Sequence, residues 1–542
     1  MPNSRVGRTQ VEIKTDKVTR ADGRSQEADR SSRVTSLLMI STAVSRVLGY
    51  VKVLLIGAFF GASGPADVWN AVFLIPNNLR KLLAEGALSS AFIPTLSASI
   101  VQDPSLSLAR QLTRRILALQ LAILVPLTVL AAVLAGPLTR LLLPFPDPAK
   151  AALTAQLFRW VFAYLLFISV AAVLMAVLNS HNLFLLPSLA PILFSVCVIA
   201  ATLLLYRRMG IFSMAVGVLV GGVTQVVCQL PAYLSRGYDL RPDFHFRFPQ
   251  FQKILKAWLP VLFSAIISAA LEQVAVTLAT ALEDGSVSAM QYALVFFQLP
   301  FGIFSISIVT VLFPRMSRLA AAGDRTGLRS TVGYGLGFIL LLMVPAALLF
   351  VFWDREIIAV ALQRRAFTAR DTLLTAAVLR AYSYGLFSVG AFTFLQRFFY
   401  SVHDFRTPLL SALLVSVVDV GLSLWLRTTP LRVRGLALAN SAAFTVGLLH
   451  LLAAARRRLG GLDGRFLLDT FRRMAVSLVP FTAYLIGFGL LTRGVWESGS
   501  SLRSLGILVA GGLGGVAVLL GMYWLTRIKM LREMLRGRSA KR

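Results

Sequence analysis

Fourteen runs of mostly apolar residues divide this chain, each long enough to cross a bilayer and each bounded by charge clusters or Gly/Pro turns. Roughly 20 apolar residues in a helix span the hydrocarbon layer. Inside lipid a lone segment must satisfy its own backbone N–H and C=O groups, so runs of this length are helices. They cover approximately 34–60, 67–100, 113–136, 153–178, 184–206, 211–235, 250–282, 286–314, 330–353, 373–402, 407–427, 433–455, 466–492 and 504–528. The fold class is therefore an all-α polytopic membrane protein with fourteen transmembrane helices. Only 14% of residues are charged and 57% are hydrophobic. That balance excludes a soluble enzyme, a disordered chain and a collagen-like fibre.

The net charge is +30 over 542 residues. In a soluble protein this would point to nucleic acid. Here the basic residues lie mostly in loops and tails between apolar runs, so nucleic acid is not an expected partner. With the N-terminus in the cytoplasm, 34 Lys and Arg fall inside and 13 outside. The excess predicts both termini cytoplasmic, although Arg207–Arg208 and Arg364–Arg365 run against it. Residues 1–33 lack the apolar core of a secretory signal and read as a flexible cytosolic tail. Residues 529–542 read as a basic cytosolic tail. Cys197 and Cys228 lie in apolar runs and form neither a disulfide framework nor a metal motif.

An internal repeat appears at an offset near 221. Ser180 and Pro187 correspond to Ser401 and Pro408, and Arg159 corresponds to Arg380. Phe92-Ile93-Pro94 corresponds to Leu312-Phe313-Pro314, and the stretch from Ser213 to that from Gly435. Two copies of a six-helix unit are expected: an N-lobe over 34–236 and a C-lobe over 250–458. Six crossings per copy make the lobes parallel, and such halves commonly hold a site between them near the midplane. Residues 466–528 add two helices outside this symmetry.

The functional candidates are the charges inside apolar runs. Arg46 and Lys52 lie in the first run, and Arg80 and Glu85 in the second. Arg46 stands about 18 Å from the start of its run and Arg80 about 20 Å from Asp67. A charge at this depth costs roughly 2.5–3.5 kcal/mol on the insertion scale and faces a hydrated cavity, a partner or a bound anion. Two readings compete. In one, Glu85 neutralises Arg80 and Lys52 snorkels outward. In the other, the cations line a cavity for an anionic headgroup, where the Arg fork matches phosphate. A second polar set comprises Glu272, Asp419, Ser423 and Thr445, either an ion-coupling site or interhelical hydrogen bonding by protonated acids. No Walker loop, metal-ligand spacing or nucleophile–base pair is present, so no catalytic residue, resident metal or cofactor is expected.

The stretches SRVLGY (45–50), IPNNLRKLLAEGALSSAFIPTLS (75–97), YLLFISVAAVLMAVLNS (164–180), GVLVGGVTQVVCQLPA (217–232), GSVSAMQYA (285–293), AFTARDTLLTAAVLRAYSYGL (366–386) and RFFYSVHDFRTP (397–408) resemble the MurJ/MviN family. These are lipid II flippases of the multidrug/oligosaccharidyl-lipid/polysaccharide exporter superfamily, and the resemblance covers roughly 34–530. It implies a flippase, not an enzyme, for the undecaprenyl-pyrophosphate-linked peptidoglycan precursor, working by alternating access in a bacterial inner membrane. It implies that Arg46, Arg80 and Lys52 hold the pyrophosphate, with Asn77, Asp67 and Glu85 belonging to the same motifs. It implies that 466–528 form a groove for the lipid tail. Membrane lipids and cell-wall synthesis enzymes are the further partners it suggests.

The departures are specific. Lys52 stands where the family usually has Arg, and Val53 where it usually has Asp. Val295 and Gln298 replace a usual Arg and Glu, so one of three cavity cations is missing. Arg380, with Arg159 opposite it in the repeat, is a candidate accessory cavity charge. Sodium coupling through Glu272, Asp419, Ser423 and Thr445 is a weak carry-over, and the membrane potential is the other candidate drive. Two alternatives stand beside lipid II: another polyprenyl-linked glycan, and a transport-dead homologue acting as a cell-wall scaffold. An exporter of cationic solutes is disfavoured, because a positive cavity repels cations.

Overall fold

The computed structural model describes residues 37, 40–83, 87–492, 496, 499, 501–528 and 530. Glu85, the 1–33 tail and nearly all of the 529–542 tail lie outside the described residues. Among the described residues the regular structure is helical throughout. The helices are α1 (Ile40–Phe60), α2 (Gly64–Leu83), α3 (Ala87–Gln102), α4 (Ser107–Val133), α5 (Ala135–Leu142), α6 (Pro148–Phe162), α7 (Tyr164–Ser180), α8 (Leu185–Met209), α9 (Phe212–Ser235) and α10 (Pro249–Thr280). They continue as α11 (Ser286–Pro300), α12 (Ile306–Ala321), α13 (Arg325–Phe352), α14 (Asp354–Leu362), α15 (Ala369–Ser383), α16 (Leu386–Ser401), α17 (Arg406–Leu426), α18 (Val433–Leu459), α19 (Gly464–Leu491) and α20 (Leu502–Leu525).

Where they are described, the apolar runs are helical over most of their length. Among the described residues eleven spans are long and apolar enough to cross a membrane, α6 with α7 and α11 with α12 each counting as one, or twelve counting α15 with α16, which bend by 44°. Two short helices were not expected. α5 and α14 follow directly on α4 and α13, where the sequence reads as loop. A π turn, Phe301–Ser305, joins α11 to α12.

The repeat is written into the backbone. α6 and α15 start at 148 and 369, α8 and α17 at 185 and 406, and α9 and α18 at 212 and 433, each pair 221 apart. Asn182 and His403, also 221 apart, both take positive φ, at 59° and 58°. Each closes the C-terminus of the preceding helix. Leu183 N–H donates to Leu178 O at 2.9 Å, and Asp404 N–H donates to Phe399 O at 3.0 Å. These are the wide 6→1 bonds that end a helix on a left-handed residue.

Two compact units result. The first comprises 1–52, 76–133 and 159–266. Its core joins Phe92 and Leu96 of α3, Leu112 and Ile116 of α4, Leu174 and Val177 of α7, and Trp258 of α10. The second comprises 53–75, 134–158 and 267–542. There α19 packs on α13 and α20. Tyr523 Oη donates to Leu341 O at 2.8 Å, and Trp353 Nε1 donates to Leu485 O at 2.8 Å. The units depart from the two sequence halves at 53–75 and 134–158, which join the second unit. The hydrogen bonds made by Asp67, Thr277 and Ala366, described next, are the reason.

Candidate functional site

In the first unit the basic candidates sit on α1 and α2. Lys52 Nζ lies over the Phe194 ring, 5.1 Å from its centroid, so the ammonium meets a π face. Phe194 is held from behind. Tyr164 packs against it with centroids 5.4 Å apart. Gly221 lets the ring in, because a Cβ there would stand 2.7 Å from Phe194 Cδ2 and 3.1 Å from its carbonyl oxygen. Arg80, half-buried, donates to Asn77 Oδ1 through Nη2 at 3.1 Å and Nε at 3.3 Å. Asn77 therefore aims the guanidinium from one turn earlier. Arg46 is exposed on α1.

Asp67, expected among the substrate-binding residues, is engaged in the second unit. Its Oδ2 accepts the Gly285 N–H at 2.7 Å and its Oδ1 accepts the Ser288 N–H at 2.8 Å. The carboxylate thus caps the N-terminus of α11, where unsatisfied N–H groups and the helix dipole favour an anion. Asn70 Nδ2 donates to Ser288 Oγ at 3.2 Å, and Tyr292 Oη donates to Gly61 O at 2.9 Å. Gly285 has φ +91°, and a Cβ there would lie 2.6 Å from Ala62 O. Only glycine fits. The same end carries Thr277 Oγ1 to Leu142 O at 2.6 Å, Ala366 N–H to Ala58 O at 3.1 Å, and the Lys150–Asp284 ion pair. The latch left one trace in the sequence, a Gly-Ser pair opening the run at 285.

Arg380 is not a free cavity charge. Its Nε and Nη2 each donate at 2.9 Å to the two oxygens of Asp354, which is 2% exposed. A fork so engaged has its charge neutralised in place. Its repeat mate Arg159 is exposed and donates from Nε to Ala132 O at 3.2 Å. Arg159 thus reaches the end of α4, and Arg380 the first residue of α14.

Of the four expected ion-coupling residues, the structure brings two into contact. Asp419 Oδ2 accepts Asn440 Nδ2 at 3.1 Å, and its Oδ1 accepts Ser423 Oγ at 3.4 Å. Glu272 and Asp419 both lie near the buried Tyr382. Thr445 turns away, donating to Ser441 O at 2.8 Å and pairing with Ser388 Oγ at 2.9 Å. Asn440 was missed, although an amide inside the apolar run 433–455 was the available signal. A cation such as sodium needs several oxygen donors around it. Asp419 instead receives N–H and O–H donors. Among the described residues no group of three or more His, Cys, Asp or Glu could hold a metal ion.

A family model described as lipid II flippase MurJ matches residues 56–506. A probable lipid II flippase MurJ of Borreliella burgdorferi is 33% identical over 505 residues, covering 93% of this chain and 98% of that one. One of Bdellovibrio bacteriovorus is 29% identical over 520 residues, covering 94% and 98%. Among solved structures, a lipid II flippase MurJ in an inward closed conformation is similar with a TM-score of 0.73 at 23% identity, covering 92% of this chain and 99% of that one. An inward-facing multidrug resistance MATE family transporter of the MOP superfamily is similar at 0.65 and 16% identity, covering 79% and 99%. At these identities the two structures bear on the fold alone.

Proposed function

The chain belongs to the lipid II flippase MurJ family, and from that premise we propose that it moves lipid II, the undecaprenyl-pyrophosphate-linked peptidoglycan precursor, from the cytoplasmic to the periplasmic leaflet of a bacterial inner membrane. It is a transporter, not a catalyst. Fourteen crossings form two parallel six-helix lobes with both termini cytoplasmic, and α19 and α20 take the lipid tail. The pyrophosphate docks on Arg46, Lys52 and Arg80. Asn77 holds the Arg80 fork and Phe194 backs the Lys52 ammonium. Self-repulsion of the cations opposes closure on the cytoplasmic side, and the doubly negative headgroup removes it. The lobes then rock, and the Asp67 latch on α11 releases to open the periplasmic side. An ion gradient or the membrane potential drives the cycle.

One observation carries this reading: inside apolar helices the Lys52 ammonium lies over the Phe194 ring and the Arg80 fork is aimed by Asn77. Cations held in place at this depth are costly, and a bound anion lowers that cost.

The test is leaflet-resolved lipid II accessibility in cells depleted of their own flippase. The wild-type chain restores accessibility and growth, and Arg46→Ala/Arg80→Ala does neither. Full rescue by the double variant would remove the cavity reading. If the wild type also fails, a different polyprenyl-linked glycan or a transport-dead scaffold gains, a reading that Val295, at a usual arginine position of the family, already favours.

A further inference from the structure

Residues 236–248 join α9 to α10 as a strap without regular secondary structure. Its side chains divide into two sets. Tyr238, Asp239, Asp243, Phe246 and Phe248 turn inward, while Arg236, Leu240, Arg241, Phe244 and Arg247 are exposed.

The inward set is pinned to the first unit. Asp239 Oδ1 accepts Arg114 Nε at 2.8 Å, and Asp243 Oδ2 pairs with Arg115 Nε at 3.1 Å. The Arg115 guanidinium also lies 4.0 Å from the Phe248 ring centroid. Tyr233 Oη donates to Asp239 O at 2.8 Å, and Tyr238 Oη meets His181 Nε2 at 2.9 Å. Phe246 stacks on Phe251. Both acids of the strap are therefore paired from within by arginines of α4, while Asp239 also accepts the Arg241 N–H and Asp243 also meets the exposed His245.

The outer side carries three arginines, the apolar Leu240, Pro242 and Phe244, and His245, whose ring meets Asp243. Phe244 is 55% exposed, and its ring touches that of the anchored Phe246 edge-on. None of the three arginines makes an ion pair among the described residues. The strap follows directly on α9, a helix long and apolar enough to cross a membrane, which places its start at headgroup depth. Exposed aromatic and aliphatic side chains beside arginines are the chemistry of an interfacial anchor, and a cationic surface at that depth attracts anionic lipid.

We infer that the outer face of the 236–248 strap is a docking surface for anionic phospholipid headgroups of the leaflet at this end of the bundle. Arg236, Arg241 and Arg247 bind the phosphates, and Phe244 and Leu240 enter the acyl boundary. The inference rests on membrane embedding and not on what is transported.

Thermal unfolding of the purified full chain in detergent tests it, titrated separately with phosphatidylglycerol, phosphatidylcholine and inorganic phosphate. Phosphatidylglycerol raises the wild-type midpoint, and the other two do not. Each surface arginine strengthens attraction to an anionic leaflet roughly fivefold. Arg236→Gln/Arg241→Gln/Arg247→Gln therefore raises half-saturation by at least tenfold, while the matching triple Lys variant keeps it near wild type. Arg456→Gln/Arg457→Gln, elsewhere on the surface, responds as wild type. Phe244→Ser alone weakens the response about threefold and decides the matter if the triple variant cannot be purified. An unchanged response of either strap variant overturns the inference. So does an equal shift with phosphatidylcholine or with inorganic phosphate, which would mean a non-specific lipid effect or a simple phosphate site.

Discussion

Asp67 Oδ1 accepts the backbone N–H of Ser288 at 2.8 Å, and the two residues are 221 apart, the offset of the internal repeat. The two residues are each other's mates in the repeat. The pair is chemically asymmetric: the first copy supplies the carboxylate and the second supplies the helix N-terminus. This makes the contact a latch that can break, since its strength lies in one charge meeting one set of N–H groups.

Removing that charge should loosen the latch without unfolding the chain. Asp67→Asn keeps the shape but accepts more weakly, and Asp67→Ala removes the cap, at a cost of about 1–2 kcal/mol. Labelling of a cysteine placed at Ala62 by a membrane-impermeant reagent should rise in both variants, more in Asp67→Ala. Labelling equal to wild type would show that the latch does not hold this end closed.

Phe194 should behave as the support of Lys52. Phe194→Tyr keeps a π face and should retain transport. Phe194→Leu loses a cation–π contact of roughly 0.5–2 kcal/mol. Gly221→Ala should resemble Phe194→Leu, because the new methyl would meet the ring at 2.7 Å. Lys52→Arg should be tolerated and Lys52→Met should not. Complementation of a flippase-depleted strain, with membrane levels of each variant checked, reads all five.

The helices were legible because lipid imposes a single rule, an apolar run of sufficient length, and eleven or twelve helices among the described residues obey it. The repeat was legible at Ser180 and Ser401 because Schellman-type helix ends constrain backbone geometry. The polar contacts were less legible. Asp354 lies just past an apolar run, so nothing in its spacing tied it to Arg380. Asp67 could be placed at the start of a helix but not against another helix 218 residues away at Gly285. Hydropathy assigns a side chain to membrane or loop, whereas a hydrogen bond depends on which two helices are neighbours.

Arg380 and Asp354 should act as a structural pair. Arg380→Ala leaves a carboxylate, 2% exposed, without its cation. Breaking a buried pair from one side typically costs about 3–5 kcal/mol. Arg380→Met combined with Asp354→Leu should recover much of that loss, since no unpaired charge remains. Thermal unfolding in detergent measures both. If the double variant is as unstable as the single, or folds well but fails in transport, Arg380 has a role beyond the pair.

Transport should not need sodium. Asp419 receives an amide and a hydroxyl donor at 3.1 and 3.4 Å, so both of its oxygens are already engaged. Replacing sodium by choline at constant ionic strength and membrane potential should leave lipid II accessibility unchanged, whereas dissipating the potential should abolish it. A strict sodium requirement that disappears in Asp419→Asn would assign the ion to this carboxylate after all.

The strap should respond to mild acid through His181, which lies just beyond the C-terminus of α7. Burial, aided by the nearby positive charge of Arg236, lowers the affinity of its imidazole for a proton. The facing hydroxyl of Tyr238 is pushed up to about 12 and stays protonated. The folded state therefore prefers neutral His181, and the unfolded chain binds the proton more readily. Stability from this contact is complete above the unfolded value of about 6.5 and declines as pH falls below it toward the depressed folded value. Asp239 and Asp243 are held below the ordinary carboxylate range, the first by the Arg114 hydrogen bond and the second by the backbone N–H of His245. They contribute stability that is lost only below about pH 4. Amide exchange of residues 236–248 should thus accelerate between pH 7.5 and pH 5.5, after correction for intrinsic rates, and His181→Asn should flatten the change. Exchange that stays constant down to pH 4.5 would remove His181 as the group that senses acid.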